Sequence, residues 1–158
     1  MPAIEFSSVI ESTVEQVWRL LRDFKGIGQW RAEIVGGITD FRYSTGQYVR
    51  EVMVSHGSIS RERRLKVCDH EMSVSFMSVG STFQYGTYRV FVQVHPTTRR
   101  AASVVSWICY YAPRSASEVK SMEHILHSYI IDIHHQLSSS LTHAMSRNQS
   151  ANTSSRKV

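Results

Sequence analysis

Residues 115–145 read SASEVKSMEHILHSYIIDIHHQLSSSLTHAM, and within them Val119, Met122, Leu126, Tyr129, Ile130, Ile133, Leu137 and Leu141 recur mostly three and four positions apart. Residues at those intervals are neighbours on a helical surface, so they form one apolar stripe along a long helix. A stripe of that length must be covered by other parts of the chain, and what precedes it reads mainly as strand.

From Ala32 to Ala112 the pattern has a period of two. Met72, Val74 and Phe76 alternate with Ser73 and Ser75, and Tyr88, Val90, Val92 and Val94 keep a single parity. Each such strand turns one face to an apolar interior. Turn signals at Gly36-Gly37, Ser44-Thr45-Gly46, His56-Gly57-Ser58, Asp69-His70, Gly80-Ser81 and His95-Pro96-Thr97 divide the region into an antiparallel meander, which Pro113 ends. Upstream, Ala3 to Ile10 is strand-like, and Ser12-Thr13-Val14-Glu15 supplies a capping box for a helix carrying Val14, Val17, Trp18 and Leu21. Gly26 and Gly28 close that helix, and a short helical turn follows through Trp30. The expectation is an α+β layout of strand, helix, six strands and one long helix, with a seven-stranded curved antiparallel sheet wrapped around that helix.

At 158 residues, with 42% apolar and 20% charged, the chain suits one domain, expected over 1–145. The segment 146–158 holds no apolar residue beyond Ala151 and Val158 and is expected to be a disordered tail. Its Arg147, Arg156 and Lys157 account for three of the five net positive charges. The remainder is nearly balanced and shows no nucleic-acid motif, so no nucleic-acid partner is expected. No run approaches the roughly 18 apolar residues of a membrane span, and Glu5 sits where a signal peptide would be basic or apolar. The expectation is a cytoplasmic protein, a monomer or homodimer.

Cys68 and Cys109 lie in strand-like runs and read as reduced thiols, with a disulfide between adjacent strands as the alternative. His124 with His127, and Asp132 with His135, have one-turn spacing but no third ligand on a matching face, so no metal is expected. Ser103, Ser106 and Ser138-Ser139-Ser140 lack the context of an activated nucleophile. The glycine pair at 26 and 28 is too little for a phosphate loop, and no cofactor is expected.

The order of elements, together with Val49-Arg50-Glu51-Val52, Glu62-Arg63, Ser75-Phe76 and Tyr88 to His95, resembles the START/birch-pollen-allergen-like (SRPBCC) superfamily over residues 3 to 144. Polyketide-cyclase-like proteins, plant abscisic-acid receptors and the onion lachrymatory-factor synthase belong to it. The resemblance implies a helix-grip fold enclosing a pocket for a small apolar molecule. It also implies that Arg50 and Glu62 stand where the synthase carries its arginine and glutamate pair, that Tyr88 is a pocket tyrosine, and that Arg31 replaces a ligand-binding lysine of the receptors. The receptors' gate and latch are not reproduced by Ser55-His56-Gly57-Ser58 and Phe83-Gln84-Tyr85, so a phosphatase-recruiting hormone receptor is not expected.

Glu62, Arg50 and Tyr88 are therefore the candidate catalytic residues. A carboxylate in an apolar pocket, oriented by a guanidinium, can act as general acid and base. The candidate ligand-binding residues are Arg31, with Val52 and Val54 on the third strand, Phe76 and Ser78 on the fifth, and Phe83 and Tyr85 in the following turn. Val90 on the sixth strand, Ser106, Ile108 and Tyr110 on the seventh, and Met122, Leu126, Tyr129 and Ile133 on the long helix complete the set. One conflict stands out. Leu65 and Val67 are the apolar residues of the fourth strand, so strict alternation turns Arg61 and Arg63 inward and Glu62 outward. A bulge between Glu62 and Leu65 removes the conflict.

Two functions fit these residues. One is a cofactor-independent cyclase, isomerase or lyase of secondary metabolism, and the other is a carrier for a lipid, hormone or secondary metabolite whose head group the same residues anchor.

Overall fold

A computed structural model describes residues 2–23, 41–42, 48–55, 58–80 and 82–155. The elements run β1 (Ala3–Ile10), α1 (Val14–Arg22), β2 (Phe41–Arg42), β3 (Tyr48–Ser55), β4 (Ser58–Cys68), β5 (Ser73–Ser78), β6 (Gly86–Pro96), β7 (Ser103–Pro113), a short 3-10 turn at Ala116–Glu118, and α2 (Val119–Ser155). The seven strands form one antiparallel sheet in the order β1-β7-β6-β5-β4-β3-β2. Consecutive hairpins build β2 through β7, and β1 joins the far edge beside β7, from Ala3 opposite Tyr110 to Ile10 opposite Ser103.

Helix α1 starts one residue later than the expected box. Thr13 is the N-cap: its hydroxyl accepts the Gln16 N–H at 3.3 Å, and the Gln16 side-chain oxygen accepts the Thr13 N–H at 3.2 Å. Gln16 serves here as Glu15 was expected to, because either side chain can reach back to the N-cap amide. Ser12 joins by donating to the same Gln16 oxygen at 2.7 Å. The glycine pair at 26 and 28, the turn through Trp30, and the turns at 36–37 and 44–46 lie outside the described residues, as do His56 and Gly57.

The stripe of α2 is covered as its period demands. Met122, Leu126, Tyr129, Ile130, Ile133, Leu137 and Leu141 are all buried, and the helix packs on β1, β3 and β7. The opposing face is built by Val74 and Phe76 on β5, Val90, Val92 and Val94 on β6, and Val105, Trp107 and Cys109 on β7. The helical backbone continues to Ser155, so residues 146–155 of the expected tail are helical. Extending an existing helix adds one hydrogen bond per residue and requires no new nucleus, whereas polar composition alone suggests a coil.

The fourth strand resolves the parity conflict. Arg64 lies opposite Phe76 and Lys66 opposite Ser75, so Leu65 has no partner and the ladder slips by one residue. This bulge lets Glu62 and Val67 both take inward positions although they lie five positions apart, an odd offset. Leu65, the extra residue, is pushed toward solvent and is 39% exposed.

Candidate functional site: a buried carboxylate shared by an arginine and two tyrosines

Glu62, on β4, is fully buried, and two other strands and the long helix bring its partners to it. Arg50 stands directly opposite on β3 and donates Nε–H to Glu62 Oε1 at 2.9 Å. Its guanidinium carbon lies 4.5 Å from the centre of the Phe76 ring on β5, reaching across β4. The other carboxylate oxygen, Oε2, accepts two phenol protons, from Tyr88 at 2.6 Å and from Tyr129 at 2.7 Å. Each group is therefore held by a partner that removes the penalty for burying it.

The site is aromatic as well as charged. Phe83 meets Tyr88 edge to face at 5.3 Å between centroids, Tyr88 meets Tyr129 at 6.2 Å, and Phe83 meets Tyr85 at 5.5 Å. Burial, followed by the negative charge of Glu62, raises the Tyr88 phenol well above its ordinary value, so it stays protonated. Burial and the same charge push the Cys109 thiol up to about 12, which leaves it without a thiolate at neutral pH. Cys68 is also a free thiol.

Of the residues singled out in the sequence, Arg50, Glu62, Tyr88 and Tyr129 are thus joined by direct hydrogen bonds. Val52, Val54, Phe76, Phe83, Val90, Met122, Leu126 and Ile133 are buried in the surrounding core, and Tyr85 packs against it half-buried. Ser78 is buried, but its hydroxyl is engaged by the Tyr88 backbone N–H at 2.9 Å. Arg31 lies outside the described residues.

Ser106, Ile108 and Tyr110 are a correction. Burial along β7 selects Ser103, Val105, Trp107, Cys109 and Tyr111 as the inward set, which leaves those three half-buried on the opposite, outer face. The Ser106 hydroxyl lies 2.9 Å from His95 Nε2, and Arg89 sits over the Tyr110 ring at 5.7 Å. Apolar residues occupy both faces of β7, so its sequence carries little parity signal, and register with β1 and β6 decides. Arg61 and Arg63 face the same outer side. Arg61 pairs with Glu51 at 3.4 Å, and Arg63 contacts the Met77 sulfur at 3.2 Å.

The sequence reading missed Ser60 and His134, and it placed Cys109 on a strand as a reduced thiol without setting it beside Glu62. Ser60 is fully buried two residues before Glu62 on the same face, 2.9 Å from the Tyr88 hydroxyl. Period two from Glu62 was the signal that could have found it. His134 is buried at the other end of the core, where it accepts the Trp107 indole N–H on Nδ1. Among the described residues no cluster of three or more His, Cys, Asp or Glu is placed to hold a metal, and no helix is long and apolar enough to cross a membrane.

A seven-stranded sheet closed over a C-terminal helix is an arrangement shared with solved structures. It superposes on the Zhui aromatase/cyclase from Streptomyces sp. R1128 with a TM-score of 0.73 at 12% identity, covering 89% of this chain and 93% of that one. The fold is the START/birch-allergen-like helix-grip fold. A START superfamily protein from Mycobacterium smegmatis has it too, with a TM-score of 0.72 at 12% identity over 90% of this chain and 98% of its own. Truncated norcoclaurine synthase from Thalictrum flavum gives 0.65 at 13% identity over 87% and 91%. No family model matches the chain, and no curated protein does. The helix-grip fold therefore rests on architecture, while the site rests on this chain's own residues.

Proposed function

We propose that this protein is a cofactor-independent enzyme of the cyclase, isomerase or lyase type, acting on an apolar small molecule between sheet and helix, with Glu62 as the proton-transferring group. The observation that carries this reading is the buried Glu62 carboxylate, held by Arg50, Tyr88 and Tyr129 in a surrounding of apolar side chains. Four polar side chains on four elements converge where plain packing needs none, and burying an ion pair is a poor route to stability. Arg50 fixes the carboxylate, and Tyr88 and Tyr129 donate hydrogen bonds that hold the charge on Oε2 while Glu62 takes and returns the substrate's proton. The named activities of the aromatase/cyclase and of norcoclaurine synthase support small-molecule chemistry on this fold.

The test begins with protein purified from its native host and mass spectrometry of the small molecules it retains. Incubation of a recovered molecule with the parent and with Glu62→Gln should show turnover falling roughly 100-fold or more in the variant. Equal turnover removes Glu62 from the chemistry.

One observation favours a second reading, a carrier. Both oxygens of Glu62 already accept donors from within the protein, as expected of a fixed anchor whose charge is satisfied. A molecule that is retained and returned chemically unchanged after long incubation decides for the carrier.

A further inference from the structure

We infer that Ser60 is a positioning residue that directs the Tyr88 proton onto Glu62; this rests on the reading of Glu62 as the proton-transferring group. A phenol has one proton, and a carboxylate oxygen can only accept. Tyr88 lies 2.6 Å from Glu62 Oε2 and 2.9 Å from Ser60 Oγ, so its proton goes to Glu62 and the second contact must be made with the proton of Ser60. The hydroxyls form a one-way chain from Ser60 through Tyr88 to Glu62.

The backbone fixes that chain at both ends. Ser60 is opposite Val52 and Glu62 opposite Arg50 in the β3–β4 ladder, so two successive inward positions of β4 hold the donor and the final acceptor. The β5–β6 ladder stops at Met77 and Arg89, and beyond it the Ser78 hydroxyl takes the Tyr88 backbone N–H at 2.9 Å. One serine thus holds the base of Tyr88 and another its tip. A donor on the phenol oxygen stabilises negative charge there and polarises the remaining O–H toward its acceptor. It accordingly lowers the phenol's proton affinity, against the stronger opposing effects of burial and of Glu62. The Tyr88 O–H bond stays intact and is aimed at Glu62 Oε2, while the Ser60 proton on the phenol oxygen keeps it from turning elsewhere.

The experiment is proton and carbon NMR of the full chain labelled in its tyrosine and glutamate side chains. In the parent, the Tyr88 hydroxyl proton should appear far downfield and exchange slowly. Ser60→Ala should move that resonance upfield and shift the Glu62 carboxyl carbon, and Ser60→Thr, which keeps the hydroxyl, should restore both. In a Tyr88→Phe background, Ser60→Ala should leave the Glu62 carbon unmoved, because Ser60 acts through the phenol. Should Ser60→Ala fail to fold, Ser60→Cys keeps the volume with a weaker donor and should give a smaller shift in the same direction. An unmoved Tyr88 hydroxyl resonance in the folded variant, or an equal Glu62 shift with and without the Tyr88 hydroxyl, overturns the inference. None of these readouts is turnover, so the positioning role can fail while Glu62 remains the catalytic group, and the reverse.

Discussion

Trp107 donates its indole N–H to Nδ1 of His134 at 3.1 Å, so this buried histidine is neutral, with its proton on Nε2. Burial, with a smaller effect from neighbouring His135, lowers its pKa to about 4 from an ordinary 6.5. The unfolded chain therefore takes up a proton at a pH where the folded chain refuses it. The contribution is complete above about pH 6.5 and is lost as pH falls toward 4, at most about 3 kcal/mol in all. Urea midpoints measured between pH 8 and 4 should fall over that window, and His134→Phe should flatten the fall. An equal slope in the variant would mean that the acid sensitivity lies elsewhere.

Tyr129 reaches from the long helix into the cluster on the sheet, and two substitutions separate its roles. Tyr129→Phe removes one proton from Glu62 Oε2 and should cost about 1.5–3 kcal/mol, the range for a hydrogen bond to a charged group. Tyr129→Ala adds the loss of the ring and should cost roughly 3–5 kcal/mol. If the ring borders the ligand, the alanine variant should also accept larger ligands than the parent. Unchanged relative affinities for small and large ligands would limit Tyr129 to packing and to holding Glu62.

The bulge at Leu65 makes a sharper prediction, because the residue is surplus to the ladder. Leu65→Ser, at a position 39% exposed, should lie within about 0.5 kcal/mol of the parent. Deleting Leu65 brings Glu62 and Val67 to four positions apart, so both keep their inward places in a regular β4–β5 ladder and the Glu62–Arg50 pair survives. Thermal unfolding of the deletion should therefore fall short of the roughly 3–5 kcal/mol loss that stranding one member of a buried ion pair brings. A loss of that size would show that the bulge itself is needed to hold Glu62 inward.

Residues 146–158 are expected to be dispensable, since nothing in them but Ala151 and Val158 is apolar. Truncation after Met145 should leave the urea midpoint and small-molecule retention unchanged. Lost retention would assign the segment a place over the site.

The fold was legible because its two periods are unmixed. The stripe from Met122 to Leu141 repeats at helical spacing, and Tyr88, Val90, Val92 and Val94 repeat at two, which leaves a sheet covering a helix as the simple solution. The site was half legible. Tyr88 and Tyr129 fall in phase with apolar neighbours, and Arg50 and Glu62 were marked by the family resemblance, whereas Ser60 is a serine among many serines. Parity failed on β7, where Val104, Val105, Trp107 and Ile108 offer apolar side chains to both faces and only the register with neighbouring strands selects one. On β4 the sequence contained the contradiction itself, an inward glutamate out of phase with Val67, and one unpaired residue was its resolution.

The hydrogen bond from Tyr129 to Glu62 spans 67 positions of sequence, and this separation sets an order in time. A chain made from its N-terminus presents Arg50, Glu62 and Tyr88 together before the last helix has been synthesised. Until that helix arrives, the carboxylate faces open water on one side and is solvated like any surface acid. Docking of the helix expels that water and delivers the second phenol in one event, so the event that completes the core also completes the hydrogen bonding of Oε2. A chain that has not yet made this helix therefore carries Arg50, Glu62 and Tyr88 without the Tyr129 phenol and without the apolar cover of the helix.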